Sequence, residues 1–149
     1  MTRKEAREQA FILIFEHEFR KSETFEEIVD TAEAYFNEKV NEFSYILAKN
    51  AIENAETIDG YIEKYSLNWK KVRISKVNLA VLRLAIGEML YYDDTPDSVA
   101  INEAVEIVKK YGGDEEKAYV NGVLGKFVKE KDGARDVDAK DADAAEEIK

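Results

Sequence analysis

Between Ser75 and Tyr92 the chain has almost nothing to offer water. Val77, Leu79, Ala80, Val81, Leu82, Leu84, Ala85, Ile86, Met89 and Leu90 are interrupted only by Asn78, Arg83, Gly87 and Glu88. Ser75 can cap a helix that reaches Tyr91 or Tyr92. A surface helix carries one apolar stripe, whereas a helix apolar on most sides must be enclosed by others. This segment is therefore read as the central helix of a bundle. Arg83, set within it, needs a buried acid or helix-end carbonyls as partner, because an unpaired charge there is costly.

The rest of the chain supplies covering helices. Thr2 caps a first helix ending near Phe19 or Arg20, with Ala6, Ala10, Leu13 and His17 on one face and Phe11, Ile14 and Phe15 beside them. Ser22 is the expected cap of a second helix, whose stripe is Phe25, Ile28, Val29, Ala32 and Phe36. A long third helix is expected from about Asn41 to Tyr65, burying Phe43, Ile46, Leu47, Asn50, Ile58, Tyr61, Ile62 and Tyr65. Residues 66–74 read as a connection with a short turn around a core-anchoring Trp69. Pro96 stands at the first position of the helix after the central one, and Gly112-Gly113 ends it. Asp114 caps a last helix, with Glu115 and Glu116 favourable to its dipole. Asn102 and Asn121 sit among apolar neighbours and are expected to be buried packing amides, and Gly122 and Gly125 to permit close helix contact. Residues 131–149, whose larger apolar side chains are Val137 and Ile148, are read as a mobile acidic tail. The fold class expected for residues 1–130 is all-α, a compact bundle of about six or seven helices.

Composition narrows the chemistry. There is no cysteine, hence no disulfide framework and no thiolate metal site. No apolar run is long enough to span a bilayer, and the N-terminus lacks a secretory pattern, so a cytoplasmic protein without membrane partners is the simplest expectation. His17 is the single histidine and stands on an apolar helix, where a core or boundary role outweighs that of a ligand or base. No phosphate-cradling glycine loop is present. The expectation is no catalytic residue, no metal, no cofactor and no enzymatic activity.

A net charge of −10 argues against nucleic-acid binding over the whole surface. Any such site must be local. Lys70, Lys71, Arg73, Lys76 and Arg83 form one stretch without an acid, and Arg3, Lys4 and Arg7 form a second cluster. Both could simply solvate helix faces.

Three segments, in this order along the chain, resemble the NusB family of bacterial transcription antitermination factors. They are the basic start Arg3-Lys4-Glu5-Ala6-Arg7-Glu8-Gln9-Ala10, the central Leu82-Arg83-Leu84-Ala85-Ile86-Gly87-Glu88, and Val99-Ala100-Ile101-Asn102-Glu103-Ala104-Val105 followed by Val120-Asn121-Gly122-Val123-Leu124. The resemblance covers roughly residues 2–130. It implies a fold of two packed helical subdomains and a function in binding boxA-type single-stranded RNA together with the small-subunit ribosomal protein NusE. That assembly would serve the transcription elongation complex on ribosomal RNA operons. The resemblance implies RNA contacts at Arg3, Lys4, Arg7, Lys117 and Tyr119, and a protein-partner surface at Glu88, which Tyr91 and Tyr92 could extend. Phe15, at a matching aromatic position, is read as core. Glu5 departs from the basic pattern and weakens the local field. Relatives occur as monomers and as dimers, so a homodimer stays open. The alternative is a helical interaction module that keeps the fold with little or no RNA binding.

Overall fold

A computed structural model describes residues 1–66 and 74–133 in full, and the backbone alone of residues 134–148. The expected turn at Trp69, with Lys70, Lys71 and Arg73, lies outside the described residues. Among the described residues seven helices follow in order: α1 (Arg3–Phe19), α2 (Phe25–Phe36), α3 (Glu42–Glu53), α4 (Ala55–Tyr65), α5 (Lys76–Tyr91), α6 (Asp97–Tyr111) and α7 (Asp114–Ile148). Among the described residues there is no strand, and the all-α bundle is as expected.

Helix α5 is the central one. Every residue from Asn78 to Met89 is buried. It packs against α1, α3, α4, α6 and α7, while α2 rides on α1. Small residues let these helices come close. Ala6, Ala10, Ala48 and Ala51 are all but fully buried, and the Ser44 hydroxyl donates to the Ala6 carbonyl at 2.7 Å, tying α3 to α1. At Gly87 an added Cβ would sit in van der Waals contact, 3.5 Å from Ala51 and from Ile58, so α5 meets both α3 and α4 closely there.

Arg83 finds the acids its position demanded. Its Nε and Nη2 donate to the two Asp59 carboxylate oxygens of α4, both at 2.8 Å, and Nη1 donates to Glu18 of α1 at 2.7 Å. Lys76 and Lys21 also reach Glu18, at 3.0 and 3.2 Å. Burial works against ionisation of Glu18, but the hydrogen bonds from Arg83 and Lys76 outweigh it and bring its pKa from 4.5 to about 2.

Local chemistry explains where the helices differ from expectation. The long third helix is two, because Asn54 turns its side chain back to the Asn50 carbonyl at 2.8 Å and leaves the helical region (φ −109°, ψ 21°). The cap of α2 is Thr24, not Ser22; its hydroxyl accepts from the Glu27 N–H at 3.1 Å. Pro96 is the N-cap of α6 rather than its first residue, and Asp114 lies just inside α7. Phe36 and Ile46, both expected to be buried, are exposed: Phe36 is the last residue of α2, and Ile46 is on the face of α3 turned from the core. Asn102 and Asn121 are exposed too. The buried positions of α6 are Ala100, Ala104, Ile107 and Val108, and those of α7 are Val120, Val123, Leu124 and Phe127, so helical period carries both amides away from the core. Gly122 and Gly125 face open space, with nothing near an added Cβ, and make no close contact. Helix α7 extends through the segment read as a tail, to Ile148.

Two outcomes are expected. Arg83→Ala strands Asp59 and Glu18 and should destabilise the fold by about 3–5 kcal/mol in urea titrations. The depressed Glu18 pKa contributes stability above its unfolded value, lost as pH falls from 4.5 towards 2. Denaturation across that window should show a shallower loss for Glu18→Gln than for the wild type.

Candidate nucleic-acid interface

Helix α1 starts with a capping box. The Thr2 hydroxyl accepts from the Glu5 N–H at 3.1 Å, and the Glu5 carboxylate accepts from the Thr2 N–H at 3.3 Å. The acid that interrupts the basic start therefore has a structural task. Glu8 is similarly occupied, by Lys110 at 2.5 Å and by the Tyr111 hydroxyl.

The opposite side of α1 borders a cleft of about 410 Å³. Helix α1 contributes Arg3, Lys4 and Arg7, α3 contributes Phe43, and α6 contributes Val99 and Glu103. Tyr92, Asp94, Thr95 and Pro96, between α5 and α6, complete it. The Arg3 guanidinium carbon lies 3.9 Å from the Phe43 ring centroid, a cation–π contact, and Tyr92 meets the same ring edge-on at 5.2 Å.

Two of the residues implied by the resemblance meet each other in the structure. Arg7 and Glu88 are buried against each other, with side-chain exposures of 7% and 1%. Arg7 Nε and Nη2 donate to the two Glu88 oxygens at 2.9 and 2.8 Å. The hydrogen bond to Glu88 raises the Arg7 pKa, so its guanidinium stays charged. Arg7 lines the cleft while its guanidinium is held by Glu88 from within the bundle. Of the others, Arg3 and Lys4 are exposed on the cleft, Tyr92 is half-buried within it, and Tyr91 is exposed at the end of α5. Lys117 is exposed near the start of α7, and half-buried Tyr119 shares a 2.6 Å hydrogen bond with Ser66. These two do not line the cleft. Phe43, Asp94 and Glu103 are cleft residues that sequence reasoning did not single out. Phe43 reads as core, and only the crossing of α1 and α3 sets its ring under Arg3.

His17 is half-buried, and burial together with the nearby Arg83 charge lowers its pKa, as suits a boundary residue. Phe15 is partly buried and packs on the core, with its ring 5.8 Å from that of Phe11. Among the described residues no group of His, Cys, Asp or Glu is placed to hold a metal ion, and no helix is long and apolar enough to cross a membrane.

The geometry defines an all-α bundle whose first helix lays an arginine and a lysine along an aromatic-floored cleft. Comparison with known proteins narrows that class. The NusB family model matches residues 4–129. The transcription antitermination protein NusB of Acetivibrio thermocellus is 50% identical over 132 residues, covering 88% of this chain and 91% of that protein. The protein of the same name from Natranaerobius thermophilus is 40% identical over 139 residues, covering 91% of this chain and 100% of its own. Among solved structures, T. maritima NusB superposes with a TM-score of 0.78 at 36% identity, covering 87% of this chain and 92% of its own. A complex of the antitermination factors NusB and NusE with dsRNA gives 0.74 at 29% identity, covering 85% and 96%. The chain belongs to the NusB family.

The buried Arg7–Glu88 pair has a measurable signature. Arg7→Ala and Glu88→Ala should each cost about 3–5 kcal/mol of stability, since each strands a buried charge. The double variant should cost clearly less than their sum in a double-mutant cycle. Additive losses would mean that the two side chains act separately.

Proposed function

We propose that this chain is a non-enzymatic transcription antitermination factor of the cytoplasm. It binds boxA-type single-stranded RNA together with the ribosomal protein NusE, within the transcription elongation complex on ribosomal RNA operons. Residues 1–130 form the RNA-binding domain and residues 131–149 an acidic appendage.

One observation carries the reading. Arg3 and Lys4 stand exposed on the rim of a cleft with an aromatic floor, and neither takes part in an ion pair among the described residues. RNA affinity comes from cations meeting phosphates, and recognition of unpaired RNA comes from flat side chains and base-edge contacts. The cleft offers both, in a protein acidic enough to discourage random polyanions. Tyr91, at the same end of α5, gives a protein partner an exposed aromatic next to the RNA. A rigid bundle holding both ligands side by side lets each raise the affinity for the other. The names of the relatives, and a structural neighbour in which NusB and NusE are in complex with dsRNA, support an antitermination role with RNA and NusE as ligands.

The acids of the cleft, Asp94 and Glu103, and the sequestration of Arg7 favour the second reading, a partner-binding module with weak RNA affinity. Fluorescence anisotropy separates them. A short boxA RNA should bind more tightly than a scrambled RNA, and more tightly again with NusE. Arg3→Ala/Lys4→Ala should weaken boxA binding by about tenfold or more. Lys4→Ala alone should flatten the slope of log affinity against log salt by about 0.7, the value for one single-strand phosphate contact. Equal binding of both RNAs, with and without NusE, would leave the interaction module.

A further inference from the structure

The part of the cleft formed by Arg3 and Phe43 is built for a flat ligand rather than a phosphate. Phe43 is only 5% exposed; Tyr92 covers its edge and the Arg3 guanidinium covers its face at 3.9 Å. With Arg3 in place, no incoming ring can reach Phe43. Arg3 itself is exposed and planar, so its outer face is the next surface in the stack. Guanidinium planes stack on unpaired bases as they do on aromatic rings, which an ammonium group cannot do.

The carboxylates decide what else can enter. Asp94 and Glu103 line the same cleft, and Glu103 lies close enough to Arg7 to raise its pKa. Two carboxylates repel a phosphate but accept hydrogen bonds from an exocyclic amino group on a base edge. Lys4, next to Arg3 and exposed at the rim, is the cation placed to meet the backbone outside.

We infer that the cleft takes one unpaired base bearing an exocyclic amino group, stacked on Arg3 and read at its edge by Asp94 and Glu103. Arg3 is then a specificity residue and not a phosphate clamp. This rests on the RNA-binding reading above and assigns a subsite within it.

The test is anisotropy of the full chain with boxA RNA and with the same RNA carrying one abasic residue at each position in turn. In the wild type, one abasic position should cost about tenfold or more, the scale of one lost base stack. Arg3→Lys keeps the charge and removes the plane. It should bind intact RNA as weakly as the wild type binds that abasic RNA, with no further loss at that position and an unchanged salt slope. A thermal melt matching the wild type would confirm that this surface substitution leaves the fold intact. Removing the amino group from that base (inosine for guanosine, uridine for cytidine, purine for adenosine) should cost the wild type several-fold and Asp94→Ala/Glu103→Ala nothing. Arg3→Lys binding intact RNA like the wild type would overturn the stacking subsite while leaving RNA binding standing. Failure of the wild type to bind intact RNA would overturn both readings.

Discussion

The bundle depends on two opposite charges buried in one apolar helix. Arg83 and Glu88 are five residues apart on α5, about 140° around its axis. Both reach α1, at opposite ends. Glu88 holds Arg7 near the start of α1, and Arg83 holds Glu18 near its finish. The contacts lie about 16 Å apart along α1 and have reversed sign. They are satisfied only when α1 runs antiparallel to α5 in this register. Turned about, α1 would set Arg7 against Arg83 and Glu18 against Glu88. Buried ion pairs add little net stability over apolar packing, but a mispaired buried charge is expensive. Here the cost of every wrong arrangement selects the observed one.

The cleft follows from that register. Arg3 lies one turn before the anchored Arg7 and therefore on the same face, directly over Phe43 of α3. Lys4 is carried to the rim beside it. The acids mixed into the basic start fall elsewhere, Glu5 into the cap and Glu8 onto Lys110 and Tyr111. A segment whose linear charge pattern is nearly balanced thus sorts into one cationic face, with its carboxylates engaged away from the cleft.

Much of this was legible beforehand because it is local or compositional. The central helix, its need for a partner to Arg83, the Thr2 cap and the Gly112-Gly113 stop follow from side chains acting within a turn or two of themselves. The exposure of Asn102 and Asn121 was legible in principle, since counting 3.6 residues from the apolar positions puts both on the outer face. Their apolar neighbours in sequence obscured it. The break at Asn54 was harder to read, because the helical pattern on either side is good and a single amide competing for a carbonyl ends it.

Propensity, capping and periodicity are short-range, and they settle most of the helical segments, which helix must be enclosed and which residue types a site can draw on, though not the break at Asn54 or the helix beyond residue 130. Tertiary structure alone decided which charges meet. Arg7 and Glu88 are separated by 81 residues, and nothing local pairs them. Only the packing of α1 on α5 removes them from solvent. The same packing brings Arg3, Phe43, Tyr92, Asp94 and Glu103 to one cleft from separate stretches of chain. No local rule places residues across such distances; the burial of shared apolar faces does.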